Sequence, residues 1–328
     1  IVSVPKNDTM VKIQDMVDSV KRTGRFIEVH YIYESEAVFM MYMRSNWAQL
    51  PKLQNKMFVV FDMGGATINA TAFGIKGNMN DNNNISDVEV TTLAKIGYGI
   101  GGDDIDYSLI QMMYEIPTIK ESIMLASQDS LIHQQLHKDI LISLAREIKL
   151  SIIDHINKVQ RSVNYLQDEE TFYGHIKDKF YSFNLSLPVI NDEVRAYLKK
   201  QEKFCNSIQT LVIQNVRDAV KELLLSLNVK KVDIELILSG RSTLYPHIKQ
   251  TVIDQINEMG YTCADAWSGF NGEDGKLSDQ LVKTAVAQGA CWYAMYSTRI
   301  KMNHDILTST FGYIDIKENE QLIDIPVY

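Results

Sequence analysis

Cysteine and proline are scarce in this chain of 328 residues, which contains three cysteines and six prolines. Cys205, Cys263 and Cys291 show no CxxC or CxxH spacing, so neither a disulfide framework nor a structural zinc site is expected. No apolar run reaches the roughly 20 residues that span a bilayer. The histidines show no HExxH spacing, and neither GxSxG nor GxxxxGK[ST] occurs. Nothing therefore indicates a zinc protease, an α/β-hydrolase or a P-loop enzyme.

Basic residues are outnumbered, with 33 Lys and Arg against 41 Asp and Glu and a formal net charge of −8. This balance argues against nucleic acid or an anionic membrane surface as a partner. The hydrophobic share of 45% and the charged share of 23% are typical of a soluble globular protein. Together with the few cysteines, the composition favours a reducing, cytoplasmic setting.

Strand-like and helix-like segments alternate along the chain, which predicts an α/β fold. We predict a hairpin over 57–75, strands over 88–96 and 234–238, and helices over 35–43, 209–227, 245–259 and 279–296. A long helical pattern covers 119–166, and a second hairpin is predicted over 172–190. The chain opens at Ile1 inside an apolar strand without Met or a signal peptide, so we expect its natural N-terminal segment to be missing.

The segment FVVFDMGGATINATAF (58–73) places an acid, two glycines and a threonine between two strands. Gly64 and Gly65 let the backbone approach a ligand closely, and successive N–H groups in such a turn can bind an anion. Asp62, at the end of a buried strand, suits a hydrated Mg²⁺, and Thr67 can donate to a phosphate oxygen. The same residues also suit an ordinary hairpin whose glycines serve only the turn.

Two further glycine-containing segments adjoin strands. In ELILSGRSTLYPHIKQTV (235–252) a strand ends at Gly240 and a helix begins near Pro246, which fits either a nucleotide loop or an ordinary βα turn. GYGIGGDDID (97–106) formally matches GxGxxG, but the helix after it leads into Pro117 and more helix. A dinucleotide fingerprint needs a second strand ending in an acid there, so that interpretation is disfavoured.

Two further segments contribute charged residues to the candidate set. In YIYESEAVFMMYM (31–43) Glu34 lies where a strand passes into a helix, a position suited either to orienting water or to capping the helix. In LAREIKLSII (144–153) Arg146 and Lys149 fall three residues apart on one helix face. This spacing fits either two ligand contacts or two solvated surface residues.

In chain order these segments resemble the nucleotide-binding domain of the 70-kDa heat-shock chaperones, within the actin-like ATPase superfamily. FDMGGATINATAF is similar to the family's second phosphate loop, and IYESEA to its Asn-Glu-Pro-Thr-Ala helix start. IGYGIGGDDID is similar to its Leu-Gly-Gly-Glu-Asp-Phe-Asp segment, and LILSGRSTLYPHIK to its Gly-Gly-Ser-Thr-Arg-x-Pro nucleotide loop. LVKTAVAQGACWYAM resembles the final alanine-rich helix, so the similarity spans about 1–300 at low identity.

The resemblance implies a two-lobed fold of the ribonuclease H-like type, present here as lobe II with part of lobe I. Residues 1–50 correspond to the remainder of lobe I and 51–100 to the first part of the inner subdomain of lobe II. Residues 101–233 correspond to an enlarged outer subdomain, and 234–300 to the rest of the inner subdomain with the helix that returns to lobe I. Residues 301–328 correspond to a linker and the start of a β-rich substrate domain.

The resemblance also implies a function, namely a chaperone-like protein that binds ATP or ADP with Mg²⁺, hydrolyses ATP and closes its lobes according to the nucleotide. Its partners would be the nucleotide, unfolded polypeptide clients and cochaperones. The implied catalytic residues are Glu34, Asp62 and Thr67, with Asp62 holding Mg²⁺ through water. The implied nucleotide contacts are Gly64, Gly65, Ala66, Thr67, Gly101, Gly102, Arg146, Lys149, Gly240, Arg241 and Ser242.

Several positions depart from the family pattern. Ala66 and Asn69 replace a usual Gly and Asp, which removes one carboxylate from the Mg²⁺ surroundings. Leu244 replaces an adenine-stacking Arg, for which Arg241 is the candidate substitute. A filament-forming actin-like ATPase, a kinase of the same superfamily and a nucleotide binder without hydrolysis remain alternatives.

Overall fold

The computed structural model describes residues 2–4, 10–25, 30–79, 85–114, 142–143, 145–146, 212–227, 232–244, 246–263, 266–267, 279–303, 312–316 and 322–326. The hairpin predicted over 172–190 lies outside the described residues, as does most of the helical pattern predicted over 119–166. Lys149 also lies outside them.

Helices and strands alternate in the described part, which confirms the α/β class. The strands are β1 (Val2–Val4), β2 (Tyr31–Tyr33), β3 (Met57–Met63), β4 (Ile68–Met79), β5 (Ile85–Tyr98), β6 (Ile234–Ser239), β7 (Ala266–Trp267), β8 (Ile300–Asn303), β9 (Gly312–Ile316) and β10 (Leu322–Pro326). The helices are α1 (Met10–Arg22), α2 (Glu34–Asn46), α3 (Leu50–Leu53), α4 (Gly102–Tyr114), α5 (Gln214–Leu225), α6 (Pro246–Glu258) and α7 (Asp279–Tyr296).

A six-stranded mixed sheet in the order β7-β6-β3-β4-β5-β8 forms the centre of the fold. Strands β3, β4 and β5 form an antiparallel meander, in which Asp62 pairs with Asn69. Strands β6 and β8 add in parallel to β3 and β5, and β7 continues in parallel from β6. Separate two-stranded sheets join β1 to β2 and β9 to β10. Strand β4 runs to Met79, and β5 begins at Ile85.

All seven residues of β3 are buried, because helices cover both faces of the sheet at this strand. Met57, Val59 and Phe61 face one core with the apolar sides of α5 and α6, whereas Phe58 and Val60 face the core formed with α2 and α7. A strand covered on both sides is expected to be apolar throughout rather than alternating. The run FVVF in the sequence is therefore explained by its central position.

Helix α2 is fixed to the sheet by an aromatic stack. The ring of Phe39 lies parallel to that of Phe73 with centroids 4.6 Å apart, and 5.2 Å from the ring of Phe58. Tyr42, one turn later, packs against Phe58 at 5.6 Å. Such pairs add about 0.5–1.5 kcal/mol to the burial of the rings. The stack holds α2 so that its first turn lies at the end of β3.

Helices α2 and α7 approach each other closely at Gly289. A Cβ atom built on Gly289 would collide with the backbone carbonyl of Ala37 and come within 3.2 Å of the amide nitrogen of Met41. Both opposing atoms belong to the main chain of α2, so no side-chain rotation can relieve the collision. The glycine in AVAQGACW is therefore required by helix packing.

Substitution of Gly289 by Ala is predicted to lower the free energy of unfolding by about 1–3 kcal/mol, because the two helices must separate. Helix propensity alone would favour Ala by about 1 kcal/mol, so destabilisation specifically reports the contact. The measurement is urea unfolding followed by circular dichroism. Gly99→Ala is the control, since no atom lies within 4 Å of its built Cβ. A Gly289→Ala variant at least as stable as wild type would contradict the observed helix packing.

Candidate functional site

The candidate site lies where β3 and β6 end side by side. Asp62, the penultimate residue of β3, stands opposite Ser239 of β6 in the parallel pairing and opposite Asn69 of β4 in the antiparallel pairing. All three residues are buried. The carboxyl ends of neighbouring parallel strands are a frequent place for ligand binding in α/β proteins. A buried acid, an amide and a hydroxyl therefore share one edge of the sheet.

The two glycine loops predicted from the sequence meet at this edge. Gly240, which follows β6, has φ +79°, and a Cβ atom on it would lie 2.6 Å from Oδ1 of Asp62. The hydroxyl of Ser242 donates a hydrogen bond of 3.0 Å to the carbonyl oxygen of Gly64. Only glycine, which has no side chain, fits at position 240 so close to Asp62. The structure thus brings 62–67 and 240–242 together.

The start of α4 supports the hairpin turn from behind. The amides of Gly102 and Asp103 donate to the carbonyls of Gly64 and Gly65 at 2.9 and 2.7 Å. Gly101 is buried, and a Cβ atom on it would lie 2.8 Å from the amide nitrogen of Thr67. These helix-start N–H groups therefore bind protein carbonyls. GYGIGGDDID acts in the structure as a support for the turn.

The turn itself leaves amides facing solvent. Gly64 donates to the carbonyl of Thr67 at 3.0 Å, which closes the hairpin around Gly65 and Ala66. Both of these residues are exposed, and within the described residues their amides donate to no other group. The hydroxyl of Thr67 lies 3.2 Å from Nδ2 of Asn69, which donates to it. Two adjacent outward N–H groups are suited to binding an anion such as phosphate.

The pKa of Asp62 is raised from 3.8 to about 7, first by burial and then by the negative charge of Glu34, while the neighbouring hydroxyl of Ser239 opposes the rise. Glu34 is the first residue of α2, so the aromatic stack of that helix delivers a second carboxylate to the site. The ionised form of Asp62 would be stabilised by a cation bound nearby. Two interacting carboxyl groups, those of Asp62 and Glu34, therefore lie at this edge of the sheet.

The oxygen atoms around Asp62 fit a hydrated magnesium ion. Oδ1 of Asn69, opposite Asp62, is buried and lacks a hydrogen-bond partner in the part of the chain that the structure describes. Mg²⁺ takes oxygen ligands and is usually held by one or two carboxylates while keeping several waters. No cluster of three His, Cys, Asp or Glu side chains occurs among the described residues. The residues present thus fit a cation bound largely through water.

Arg146 contacts α4 in the structure. Its guanidinium lies 3.2 Å from Oδ1 of Asp103 and 3.2 Å from Oδ2 of the buried Asp106, so it anchors the first turn of that helix. These carboxylates raise the pKa of Arg146 against the opposing effect of burial. Arg241 is exposed on the 3-10 turn Arg241–Leu244 that follows β6. The adenosine contacts predicted for Arg146, Lys149 and Arg241 stay predictions.

A buried ion pair beside the site was not predicted from the sequence. Nζ of Lys95 lies 3.1 Å from Oε1 of Glu36 and 3.9 Å from the ring centroid of Tyr33. The amide of Tyr33 donates to the other oxygen of Glu36 at 3.2 Å. Glu36 lies three residues after the N-cap residue Tyr33, as in a capping box, but Tyr is not a usual N-cap residue, so this contact had no clear local signal. Lys95 is 59 residues further on, and no local pattern indicates its contact.

No protein-family model matches the chain, and no curated protein matches it significantly. No helix among the described residues is long and apolar enough to cross a membrane. The functional conclusion therefore depends on the geometry of the site together with the resemblance of its motifs.

The stability of the protein is predicted to fall as pH rises from about 4 to about 7 on account of Asp62. In that window the folded state holds the proton on this carboxyl and the unfolded state has lost it, so deprotonation favours unfolding. Below the unfolded pKa both states are protonated and the stabilisation is complete. Asp62→Asn removes this dependence. The difference in free energy of unfolding between the variant and wild type should therefore shift in favour of the variant by about 2–3 kcal/mol from pH 5 to pH 8.

The measurement is urea unfolding of both proteins at pH 5 and pH 8. Asp233→Asn is the control, because Asp233 is exposed and at the opposite end of β6. It should keep the wild-type difference between the two pH values. Equal differences for wild type and Asp62→Asn would show that Asp62 ionises as it does in the unfolded chain.

Replacement of Lys95 by Met is predicted to destabilise the fold by about 3–5 kcal/mol, because it leaves the buried carboxylate of Glu36 without its cation. The side chains of Lys95 and Glu36 are 12% and 1% exposed. Lys56→Met is the matched control, since Lys56 pairs with Glu235 at 2.8 Å with side chains 35% and 25% exposed. That change should cost about 0–1 kcal/mol. The measurement is thermal unfolding of both variants at pH 7. Equal losses of stability would show that burial does not make the loss of the lysine more costly.

Proposed function

We propose that this chain is part of an actin-like ATPase that binds Mg·ATP and Mg·ADP at the ends of β3 and β6, hydrolyses ATP, and acts as a chaperone-like protein. The observation that carries the proposal is the junction of two glycine loops around the buried Asp62. Their meeting through Ser242 and Gly64 is what a nucleotide site requires when one loop contacts phosphate and the other contacts adenosine. Polypeptide clients, cochaperones and a cytoplasmic location belong to the same proposal.

The order of the strands supports the proposed fold. A three-stranded antiparallel meander, β3-β4-β5, is extended at β3 by the parallel strands β6 and β7. This is the arrangement expected for a ribonuclease H-like core, on which the actin-like ATPases are built. Helices α2 and α7 cover one face and α5 and α6 the other, as a three-layer α/β domain requires.

The residues have separate tasks in this proposal. The exposed amides of Gly65 and Ala66 bind phosphate oxygens, and Thr67 donates its hydroxyl to them. Asp62 holds a hydrated Mg²⁺ through water, and Glu34 accepts a hydrogen bond from the attacking water and orients it. The metal, when bound, neutralises phosphate charge. Phosphoryl transfer depends mainly on such positioning and charge stabilisation, with little covalent work for side chains.

One observation favours a second candidate, a nucleotide binder that does not hydrolyse ATP. Asn69 faces Asp62 across the hairpin where the resemblance leads one to expect a second carboxylate. A neutral amide can still ligate a cation through its oxygen, but it cannot accept a proton from water at neutral pH. Binding without turnover is the expected result if that carboxylate is essential.

We expect calorimetry to detect binding of Mg·ATP and Mg·ADP, and chelation of Mg²⁺ by EDTA to weaken it. The titrations use the 328-residue chain and a chain extended upstream of Ile1 by the segment that the resemblance implies. Asp62→Asn should reduce the gain in nucleotide affinity that Mg²⁺ provides by about tenfold or more, whereas Asp233→Asn should leave that gain unchanged. Phosphate release then separates hydrolysis from binding alone. If neither chain binds nucleotide, the proposal is wrong.

A further inference from the structure

A large cavity lies at the other end of α2, away from Asp62. It has a volume of about 760 Å³ and lies between the end of α2 with its following 3-10 turn and the C-terminal half of α7. We call it the arginine groove and define it by Arg44, Trp47, Trp292, Met295, Tyr296 and Arg299. Arg44 is ten residues after Glu34, which is about 15 Å along the helix. The groove is therefore separate from the candidate nucleotide site.

The floor of the groove is aromatic and firmly held. Trp292 is 8% exposed and packs edge-on against Trp47 with ring centroids 5.5 Å apart. Tyr296, one turn later, lies 5.1 Å from Trp292. The close packing of Gly289 on α2 fixes the two helices that carry these rings. A rigid wall of this kind loses little conformational entropy when a ligand binds.

The rim leaves a large apolar side chain in water. Met295 is 76% exposed at the edge of the groove. Trp, Tyr, Met and Arg are the residues enriched in protein interfaces, and Trp, Tyr and Arg contribute most to binding there. A small molecule would usually have most of its surface enclosed. The exposed rim instead suits a segment of polypeptide that enters and leaves the groove.

The described lining of the groove contains two exposed cationic side chains, Arg44 and Arg299, and no Asp or Glu, in a protein of net charge −8. The guanidinium of Arg299 lies over the ring of Trp47, 5.6 Å from its centroid. Stacking of this type orients the planar group, and arginine can then bind a carboxylate through two hydrogen bonds. The expected ligand is anionic.

We propose that the arginine groove binds an acidic peptide segment of a partner protein. A large apolar side chain of that segment packs against Trp47 and Trp292, and flanking carboxylates bind Arg44 and Arg299. The proposal needs no nucleotide and stands independently of the proposed ATPase function.

The test is selection of random twelve-residue peptides displayed on phage against the wild-type protein. The expected peptides carry one large apolar residue among Asp and Glu. Their binding should weaken about tenfold or more in the double variant Arg44→Glu, Arg299→Glu, and also with rising salt. The matched control is Arg22→Glu, Arg25→Glu, which reverses two exposed arginines outside the groove. Both double variants must keep the wild-type melting temperature; otherwise the glutamine versions replace them.

Cys291 can show whether a selected peptide binds in the groove, because this cysteine is exposed and lines the groove. A selected peptide with an N-terminal bromoacetyl group should alkylate this thiol, as the sulfur displaces bromide, and free unlabelled peptide should protect it. Mass spectrometry identifies the modified cysteine. Three results would overturn the proposal: no enrichment of acidic peptides, equal binding to the groove variant, or a concentration-dependent dimer that the groove variant abolishes, since a second copy would then be the occupant.

Discussion

The two glycine carbonyls of the β3–β4 turn organise the candidate site. Gly64 accepts hydrogen bonds from Gly102 and Ser242, and Gly65 accepts one from Asp103. These donors come from two segments that are far apart in the chain, so the turn is where the hairpin, α4 and the loop after β6 are joined. Because the carbonyls point into the protein, the adjacent amides are left facing outwards. The proposed phosphate contacts depend on this arrangement of inward carbonyls and outward amides.

Helix α2 combines three environments along its length. Its first turn is polar and buried, where Ser35 accepts a hydrogen bond of 2.9 Å from Thr71 and Glu36 pairs with Lys95. Its middle is an aromatic and apolar layer on the sheet. Its end opens onto the arginine groove. Burying charge at the first turn is costly, and the central aromatic packing offsets that cost by holding the helix in one place.

Much of the fold could be predicted from local patterns. The apolar run before Asp62, the glycines after it and the small-residue helix near Gly289 all indicated elements that the structure contains. Glu34 and Ser242 were identified as site residues because their motifs occur in a particular order. Lys95, Trp47 and Arg299 gave no such indication, because each acquires its role only from a partner distant in sequence. The ion pairs of Arg146 with Asp103 and Asp106 also depend on residues distant in the chain, and its nucleotide contact stays a prediction.

The sequence by itself determined the α/β class, the positions of the glycine turns and the buried character of β3. These follow from side-chain periodicity and backbone freedom, which act over a few residues. Tertiary structure alone decided which turns meet, which carboxylate is desolvated and where the arginine groove forms. Those properties arise from contacts between segments far apart in the chain, such as the bond between Ser242 and Gly64, which are 178 residues apart. Local composition carries no information about such contacts, since the packing of the whole sheet sets them.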